Sequence, residues 1–301
     1  MKPIIPILLS LFLLGACKGK ENRPAEDGTE PPRIAVTIEP LRYFTEAIAG
    51  DRFQVTVIVP KGSSPETYDP SPRQLIDLAQ SKAYFRTGYI GFEQVWADKL
   101  ADNAPHLHAF DLSEGIDLIY DESHAHRHAA HEDGGKGVEP HVWCSTANAQ
   151  IIAANILKAL HVLDKDNDSL YLERYKALSR RIERTDSLIR GTLAKADSTF
   201  MIYHPALSYF ARDYGLRQIA IEAGGKEPSP ARLQDLIGLC KEEQVHVVFV
   251  QPEFDRRNAQ LIADQTGTQI VDLNPLAYDW EKEMLHAASA LRKYHNPVEP
   301  R

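Results

Sequence analysis

Short apolar stretches alternate with amphipathic stretches of helical spacing along most of the chain, and this alternation constrains the fold more than any other feature. The apolar stretches are short enough to be buried strands, and they lie at residues 34–38, 55–59, 83–86, 107–110, 200–203, 217–221, 245–250 and 269–273. Helical spacing fills most of the intervals between them. Strands that alternate with helices predict parallel sheets covered by helices. The sequence therefore predicts an α/β protein.

The middle of the chain interrupts this alternation with a single long helical stretch. Residues 168–196 contain no proline and only one glycine, Gly191, and their apolar residues recur at spacings of three, four and seven. One helix of this length extends roughly 40 Å at 1.5 Å per residue. About 270 folded residues also exceed what one hydrophobic core usually holds. We therefore predict an N-terminal lobe at residues 33–165, a rigid linker helix at 166–197 and a C-terminal lobe at 198–296.

A short sequence motif occurs in both predicted lobes. Residues 71–78 and 229–236 match at Ser, Pro, Leu, Asp and Leu, and each segment opens with Ser-Pro. Serine suits a helix N-cap and proline suits the first helical position. We predict two Rossmann-like lobes with parallel sheets whose strand-end loops face each other. Ligands of open α/β sheets bind at the carboxyl ends of the strands, so a site is expected in the cleft between the lobes.

The first residues carry a targeting signal. Lys2 precedes an apolar run, and Leu-Gly-Ala-Cys follows it, so residues 1–16 are expected to be a signal peptide, too short to span a membrane. The ending matches a bacterial lipobox, which predicts a lipid on Cys17 and a flexible tether at residues 17–32. Ordinary cleavage with an incidental cysteine is the alternative. We expect an extracytoplasmic lipoprotein, anchored by this lipid and located in the periplasm or on the cell surface.

The charge and the cysteine count exclude several classes of protein. The formal net charge of −8 disfavours nucleic acid and anionic membrane surfaces as partners, because phosphate binding needs a basic face. Only Cys144 and Cys240 follow Cys17, so the chain is not a disulfide scaffold. A bond between these two would have to cross the lobes, and we expect both to be free thiols.

One loop is unusually rich in histidine. Within residues 121–138, four histidines fall inside eight positions: His124, His126, His128 and His131. Imidazole is the commonest side-chain metal ligand, and short histidine-rich tracts bind metal. We expect this loop to collect metal weakly and reversibly. A solvated polar loop without that role is the alternative.

Three further residues are candidates for a built metal site. Glu66, His141 and His204 all lie in predicted strand-end loops, and each is adjacent to a proline that stiffens the backbone. Two imidazoles and one carboxylate are suitable ligands for a divalent first-row metal. A fourth ligand should follow the last strand, where Asn274 and Asp279 are the candidates.

The motifs around these residues resemble those of a known family. The chain is similar to the metal-binding subunits of zinc and manganese ABC transporters, the cluster A-I solute-binding lipoproteins, which include streptococcal adhesin-type lipoproteins, and most of all to the zinc-binding members. The matching segments occur in family order over nearly the whole mature chain, at residues 59–62, 65–70, 139–143, 203–204, 209–210, 225–230 and 271–276.

This resemblance implies two α/β lobes bridged by a rigid helix, with the metal buried between them. It also implies delivery of the metal to an ABC permease with its cytoplasmic ATPase, and we expect the binding protein to be a monomer. Carried over by position, the family ligands are Glu66, His141, His204 and Asn274. Glu66 stands where the family usually has histidine, and Asn274 stands where many members have aspartate. Because an amide oxygen is a weak neutral ligand, Asp279 or a water is expected to complete the shell.

The choice of metal depends on the balance of ligands. Nitrogen ligands favour Zn²⁺ over Mn²⁺, whereas the carboxylate of Glu66 moves the site towards Mn²⁺ or Fe²⁺, and we expect zinc on this balance. A surface adhesin with a structural metal is an alternative function, and a metallohydrolase is another. The chain has no His-Glu-x-x-His, Gly-x-Ser-x-Gly or P-loop motif, so the sequence predicts capture and release of a metal without catalysis.

Overall fold

The computed structural model describes residues 30–121 and 137–292. The predicted signal peptide, Cys17 and nearly all of the predicted tether lie outside the described residues. The four loop histidines, His124, His126, His128 and His131, lie outside them as well. No helix in the described part of the chain is long and apolar enough to cross a membrane.

The first lobe is built on a four-stranded parallel sheet. Its strands are β1 (Arg33–Val36), β2 (Gln54–Val57), β3 (Ala83–Arg86) and β4 (His108–Asp111). Its helices are α1 (Glu39–Ala49), α2 (Pro72–Ala79) and α3 (Gly91–Asn103). The strand order is β2-β1-β3-β4, so the first strand lies in the interior and pairs with the second and the third.

A hairpin and two helices connect this lobe to the second. β5 (Tyr120–Asp121) and β6 (Gly137–Val138) form a short antiparallel pair on either side of the histidine-rich loop. α4 (Thr146–Leu163) and α5 (Asp168–Leu193) follow. The 26 residues of α5 extend about 39 Å, close to the predicted length. The long helix is thus confirmed, while the domain boundaries proposed on either side of it stay predictions.

The second lobe repeats the first. Its strands are β7 (Thr199–Ile202), β8 (Arg217–Ala220), β9 (Val247–Val250) and β10 (Gln269–Asp272). Its helices are α6 (Ser208–Tyr214), α7 (Pro230–Glu242), α8 (Arg257–Thr266) and α9 (Trp280–Ala290). All strand pairs are parallel and the order is β10-β9-β7-β8. Counted within each lobe, both sheets run second, first, third, fourth, which confirms the prediction of two α/β lobes with parallel sheets.

Serine caps fix three helix starts. The Ser71 hydroxyl accepts a hydrogen bond from the Gln74 backbone in a capping box, and Ser229 accepts one from the Arg232 backbone. Ser145 caps α4 and accepts a hydrogen bond from the Asn148 backbone. The two Ser-Pro copies therefore perform the same local role in both lobes, since each satisfies a backbone N–H that the first helical turn leaves without a partner.

One helix begins later than predicted. The sequence favours a helix from His204 and Pro205, but α6 begins at Ser208. The intervening backbone forms a tight turn in which the Ala206 N–H donates to the His204 carbonyl at 2.7 Å. The His204 backbone also bonds to the side chain of Gln251. These bonds hold residue 204 outside the helix.

Buried contacts hold the two lobes together. α5 packs against α1 and α4 of the first lobe and against α9 of the second. The Trp143 indole N–H donates to the Pro275 carbonyl at 2.8 Å, and the Trp280 indole N–H donates to the Trp143 carbonyl at 2.7 Å. Both tryptophans are fully buried. Because these bonds cross from one lobe to the other, a wide hinge opening would break buried hydrogen bonds as well as helix packing.

Candidate metal site

Two histidines, one from each lobe, face each other across the cleft. His141 lies between β6 and α4, and His204 follows β7. Their Nε2 atoms are 3.2 Å apart and their ring centroids 4.9 Å apart. Two nitrogens bound to one tetrahedral zinc at about 2.0–2.1 Å are separated by about 3.3 Å. The two Nε2 atoms already have the spacing that a shared metal requires.

A buried carboxylate fixes the other nitrogen of each ring. His141 Nδ1 lies 2.5 Å from Glu139 Oε1, and His204 Nδ1 lies 2.6 Å from Glu222 Oε1. Both glutamates are more than nine-tenths buried. A carboxylate at Nδ1 selects the tautomer in which Nδ1 carries the proton, and it leaves the Nε2 lone pair for a metal. The two rings are therefore oriented as a ligand pair.

Aromatic packing and backbone bonds restrict the histidines further. Phe254 stacks on the His204 ring at 5.2 Å with an interplanar angle of 15°, and Trp143 packs against His141. The Gln251 side chain accepts from the His204 N–H at 3.2 Å and donates to the His204 carbonyl at 2.6 Å. The ring of His204 is held by contacts on its face, at its Nδ1 atom and at its backbone.

Glu66 is brought to the same pocket by the start of α3. The loop after β2 passes so close to Gly91 that a Cβ atom there would lie 2.3 Å from the Glu66 carbonyl oxygen. The Gly91 N–H donates to Glu66 Oε2 at 3.3 Å. A helix N-terminus favours a nearby carboxylate. Glycine at position 91 therefore permits the close approach and helps to orient the carboxylate.

The pocket that Glu66, His141 and His204 share is small. Its volume is about 20 Å³, enough for one water-sized occupant. An ion that enters it must lose most of its hydration shell and accept protein ligands instead. Among residues 30–121 and 137–292, no group of three or more histidine, cysteine, aspartate or glutamate side chains is already arranged to hold a metal ion. The histidine pair is the preorganised part of the site.

The surroundings of His141 favour its protonated form. Burial alone lowers the pKa of a histidine, but the charge of Glu139 and its hydrogen bond, together with the charges of Glu66 and Glu222, raise the pKa of His141 above its usual value. A proton on Nε2 of His141 blocks the lone pair that a metal would bind. A metal must displace that proton.

Asn274 and Asp279 do not line this pocket. They line an adjacent cavity of about 270 Å³ between the lobes, where the Asn274 side-chain oxygen accepts from the Leu276 N–H at 3.0 Å. Asp279 is the residue before α9. Their assignment as ligands stays a prediction.

The two cysteines in the described part of the chain are free and buried, as expected. Burial raises the pKa of the Cys144 thiol well above its usual value, so this residue near His141 stays a packing thiol.

Three acidic residues at the site were not predicted from the sequence. Glu139 belongs to the Glu-Pro-His segment but was not recognised as the partner of His141, and Glu222 follows β8 without a local signal. Glu253 lines both the histidine pocket and the adjacent cavity. It follows Pro252 at the end of β9, which repeats the proline-adjacent pattern of the predicted ligands.

The chain is similar to known proteins in both sequence and structure. A family model described as ZnuA, zinc-uptake complex component A, periplasmic, matches residues 34–294. The high-affinity zinc uptake system protein ZnuA of Bacillus subtilis is 27% identical over 280 residues, which cover 90% of this chain and 87% of that protein. The iron ABC transporter substrate-binding lipoprotein MtsA of Streptococcus pyogenes is 29% identical over 281 residues, with the same coverage. A solved structure described as a crystal structure of ZnuA is 34% identical, has a TM-score of 0.79, and is matched over 86% of this chain and 97% of that chain.

Proposed function

The chain belongs to the ZnuA family of periplasmic zinc-uptake components, and from this membership we propose that it captures Zn²⁺ outside the cytoplasm and delivers it to an ABC permease. The main support for this proposal is the pair of histidine Nε2 atoms 3.2 Å apart, each on a ring whose Nδ1 is bound to a buried glutamate. We propose His141, His204 and Glu66 as ligands of the transported metal.

Zinc is favoured over manganese and iron by two imidazole ligands, because affinity for nitrogen sites rises along the divalent series towards zinc and copper. The relatives include proteins named for zinc and for iron, and Glu66 is the ligand of this chain that favours the harder metals. Capture of Mn²⁺ or Fe²⁺ by the same site is therefore the second candidate. Surface adhesion is a further alternative, which growth rescue by added zinc in a deletion strain would separate from transport.

The proposed cycle involves binding and no catalysis. The metal exchanges its waters for the two imidazoles and the carboxylate in a pocket that holds one water-sized occupant. Since the lobes are joined by α5 and by the tryptophan hydrogen bonds, release would proceed through movement of loops on contact with the permease, without a wide hinge. We further propose that the protein acts as a monomer held at the membrane by a lipid on Cys17. Replacement of Cys17 by alanine should release the protein from the membrane fraction.

Competition titrations of the purified protein with Zn²⁺ and Mn²⁺ test the metal and the site together. The wild type should bind one Zn²⁺ tightly, and His141→Ala and His204→Ala should each abolish that binding. Tighter binding of Mn²⁺ than of Zn²⁺ would move the assignment to the second candidate. Tight binding of Zn²⁺ that survives both alanine variants would refute the site.

A further inference from the structure

The pocket that holds the two histidines is lined by two carboxylates, Glu66 and Glu253. Only the first was identified from the sequence. On the basis of the proposed function, we infer that Glu253 is the fourth protein ligand of the transported metal, so that two imidazoles and two carboxylates surround it.

The other polar residues at this pocket are already engaged or unsuited. Gln251 uses its side-chain oxygen and its nitrogen on the backbone of His204. Ser64 offers a neutral hydroxyl, a poorer ligand than a carboxylate for a divalent cation. Asn274 and Asp279 line the adjacent cavity instead. Glu253 is thus the one remaining carboxylate among the described residues that line this pocket.

The fold explains why Glu253 lies there. β9 is the direct parallel neighbour of β7, with Met201 opposite Val248 and Ile202 opposite Phe249. The loops after these two strands therefore leave the sheet side by side at the same edge. One loop carries His204, and the other carries Pro252-Glu253 before Phe254, the residue that stacks on the His204 ring. That stack ties the loop of Glu253 to the ligand on the neighbouring strand.

The electrostatic surroundings of Glu253 leave its charge available to a cation. In the part of the chain that the structure describes, no lysine or arginine forms an ion pair with Glu253. A half-buried carboxylate without a compensating cation gains most from the arrival of a metal ion.

Three variants of the full-length protein test this inference: Glu253→Gln, Glu253→Asp and, as a matched control at a carboxylate that pairs with Arg217, Glu243→Gln. Zn²⁺ affinity is measured by competition with a chelator, and coordination by the visible spectrum of the Co²⁺-loaded protein. Thermal unfolding of each metal-free variant checks the fold. Loss of an outer hydrogen-bonding partner costs about 10- to 100-fold in metal affinity, so loss of a direct ligand should cost at least about tenfold.

We expect Glu253→Gln to weaken Zn²⁺ binding by about tenfold or more and to change the Co²⁺ spectrum. We expect Glu253→Asp, which keeps the charge on a side chain one methylene shorter, to change the spectrum too, because a ligand must reach the metal. Glu243→Gln should match the wild type. Binding by Glu253→Gln within tenfold of the wild type, or an unchanged Co²⁺ spectrum, overturns the inference. In that event, a loss of Zn²⁺ affinity in Asp279→Asn would assign the fourth position to Asp279. Failure of the wild type itself to bind Zn²⁺ would refute the proposed function rather than the ligand.

Discussion

The hydrogen bond between Glu139 and His141 should control both the strength and the pH dependence of metal binding. The change Glu139→Gln keeps the size of the side chain and removes its charge. The Glu139 carboxylate lies 2.5 Å from His141 Nδ1, and both residues are almost completely buried. We therefore expect Zn²⁺ affinity at pH 8 to fall by about 10- to 100-fold, the usual range for loss of a carboxylate behind a metal-bound histidine. This range corresponds to about 1.4–2.8 kcal/mol.

The sign of the pH effect follows from the pKa of His141. In the wild type that pKa is raised because Glu139, followed by Glu66 and Glu222, outweighs burial. Protons therefore compete with the metal up to a higher pH than at an ordinary histidine. In Glu139→Gln the strongest raising influence is gone and burial lowers the pKa. The midpoint of the affinity–pH curve should move to lower pH, and the difference from the wild type should shrink as the solution becomes more acidic.

Zn²⁺ competition titrations from pH 5.5 to 8.5 measure this effect. Glu222→Gln should also weaken binding, since Glu222 holds His204 at 2.6 Å. Glu243→Gln, which removes a carboxylate paired with Arg217 far from the pocket, should leave the affinity unchanged. A difference between Glu139→Gln and the wild type that stays constant or grows towards acidic pH would refute this account of His141.

Three further outcomes are expected. Gly91→Ala places a methyl group 2.3 Å from the Glu66 carbonyl oxygen, so it should destabilise the protein by about 1–3 kcal/mol and weaken Zn²⁺ binding. Thermal unfolding measures the first effect and titration the second. Unchanged binding would show that Glu66 is not part of the site. Trp280→Phe leaves the buried Trp143 carbonyl without its indole donor and should cost about 1–3 kcal/mol in guanidinium unfolding, whereas an unchanged midpoint would show that this bond does not stabilise the lobes. Deletion of residues 122–136 should remove weak Zn²⁺ binding in calorimetry and retain the tight site; loss of the tight site would contradict the division into two kinds of site.

Local patterns were sufficient to predict most of the secondary structure, because strands and caps depend on neighbouring residues. The Ser-Pro segments at positions 71 and 229 begin helices in both lobes, as predicted. The helix predicted at His204 begins only at Ser208, because the backbone of His204 is bound by Gln251, 47 positions away. That contact is created by the pairing of β7 with β9, which no local pattern encodes.

The residues of the candidate site likewise include some that local sequence patterns identify and others that depend on strand pairing. Glu66, His141 and His204 were identifiable from their proline-adjacent positions after strands, and the structure brings them into one pocket. The carboxylates that orient the two histidines could not be identified in this way. Glu222 is 18 residues from His204, and the pairing of the neighbouring strands β7 and β8 brings the two residues together. Glu253 also lies next to a proline after a strand, as the proposed ligands do. Its place in the pocket, however, depends on which strand lies beside β7, and the sequence does not show this.

The two lobes share one topology and use their equivalent crevices differently. In the first lobe the crevice between β1 and β3 is closed by Glu93, whose carboxylate accepts from the Thr37 hydroxyl at 2.5 Å and the Thr87 N–H at 3.1 Å. In the second lobe the crevice between β7 and β9 holds Gln251, whose side chain bonds to the backbone of His204 and leaves the imidazole directed across the cleft. A crevice filled by its own carboxylate offers no ligand position to a metal. The ligands that we propose from the first lobe, Glu66 and His141, therefore lie in loops outside its crevice. For this reason the repeated fold does not lead us to a symmetric set of proposed ligands.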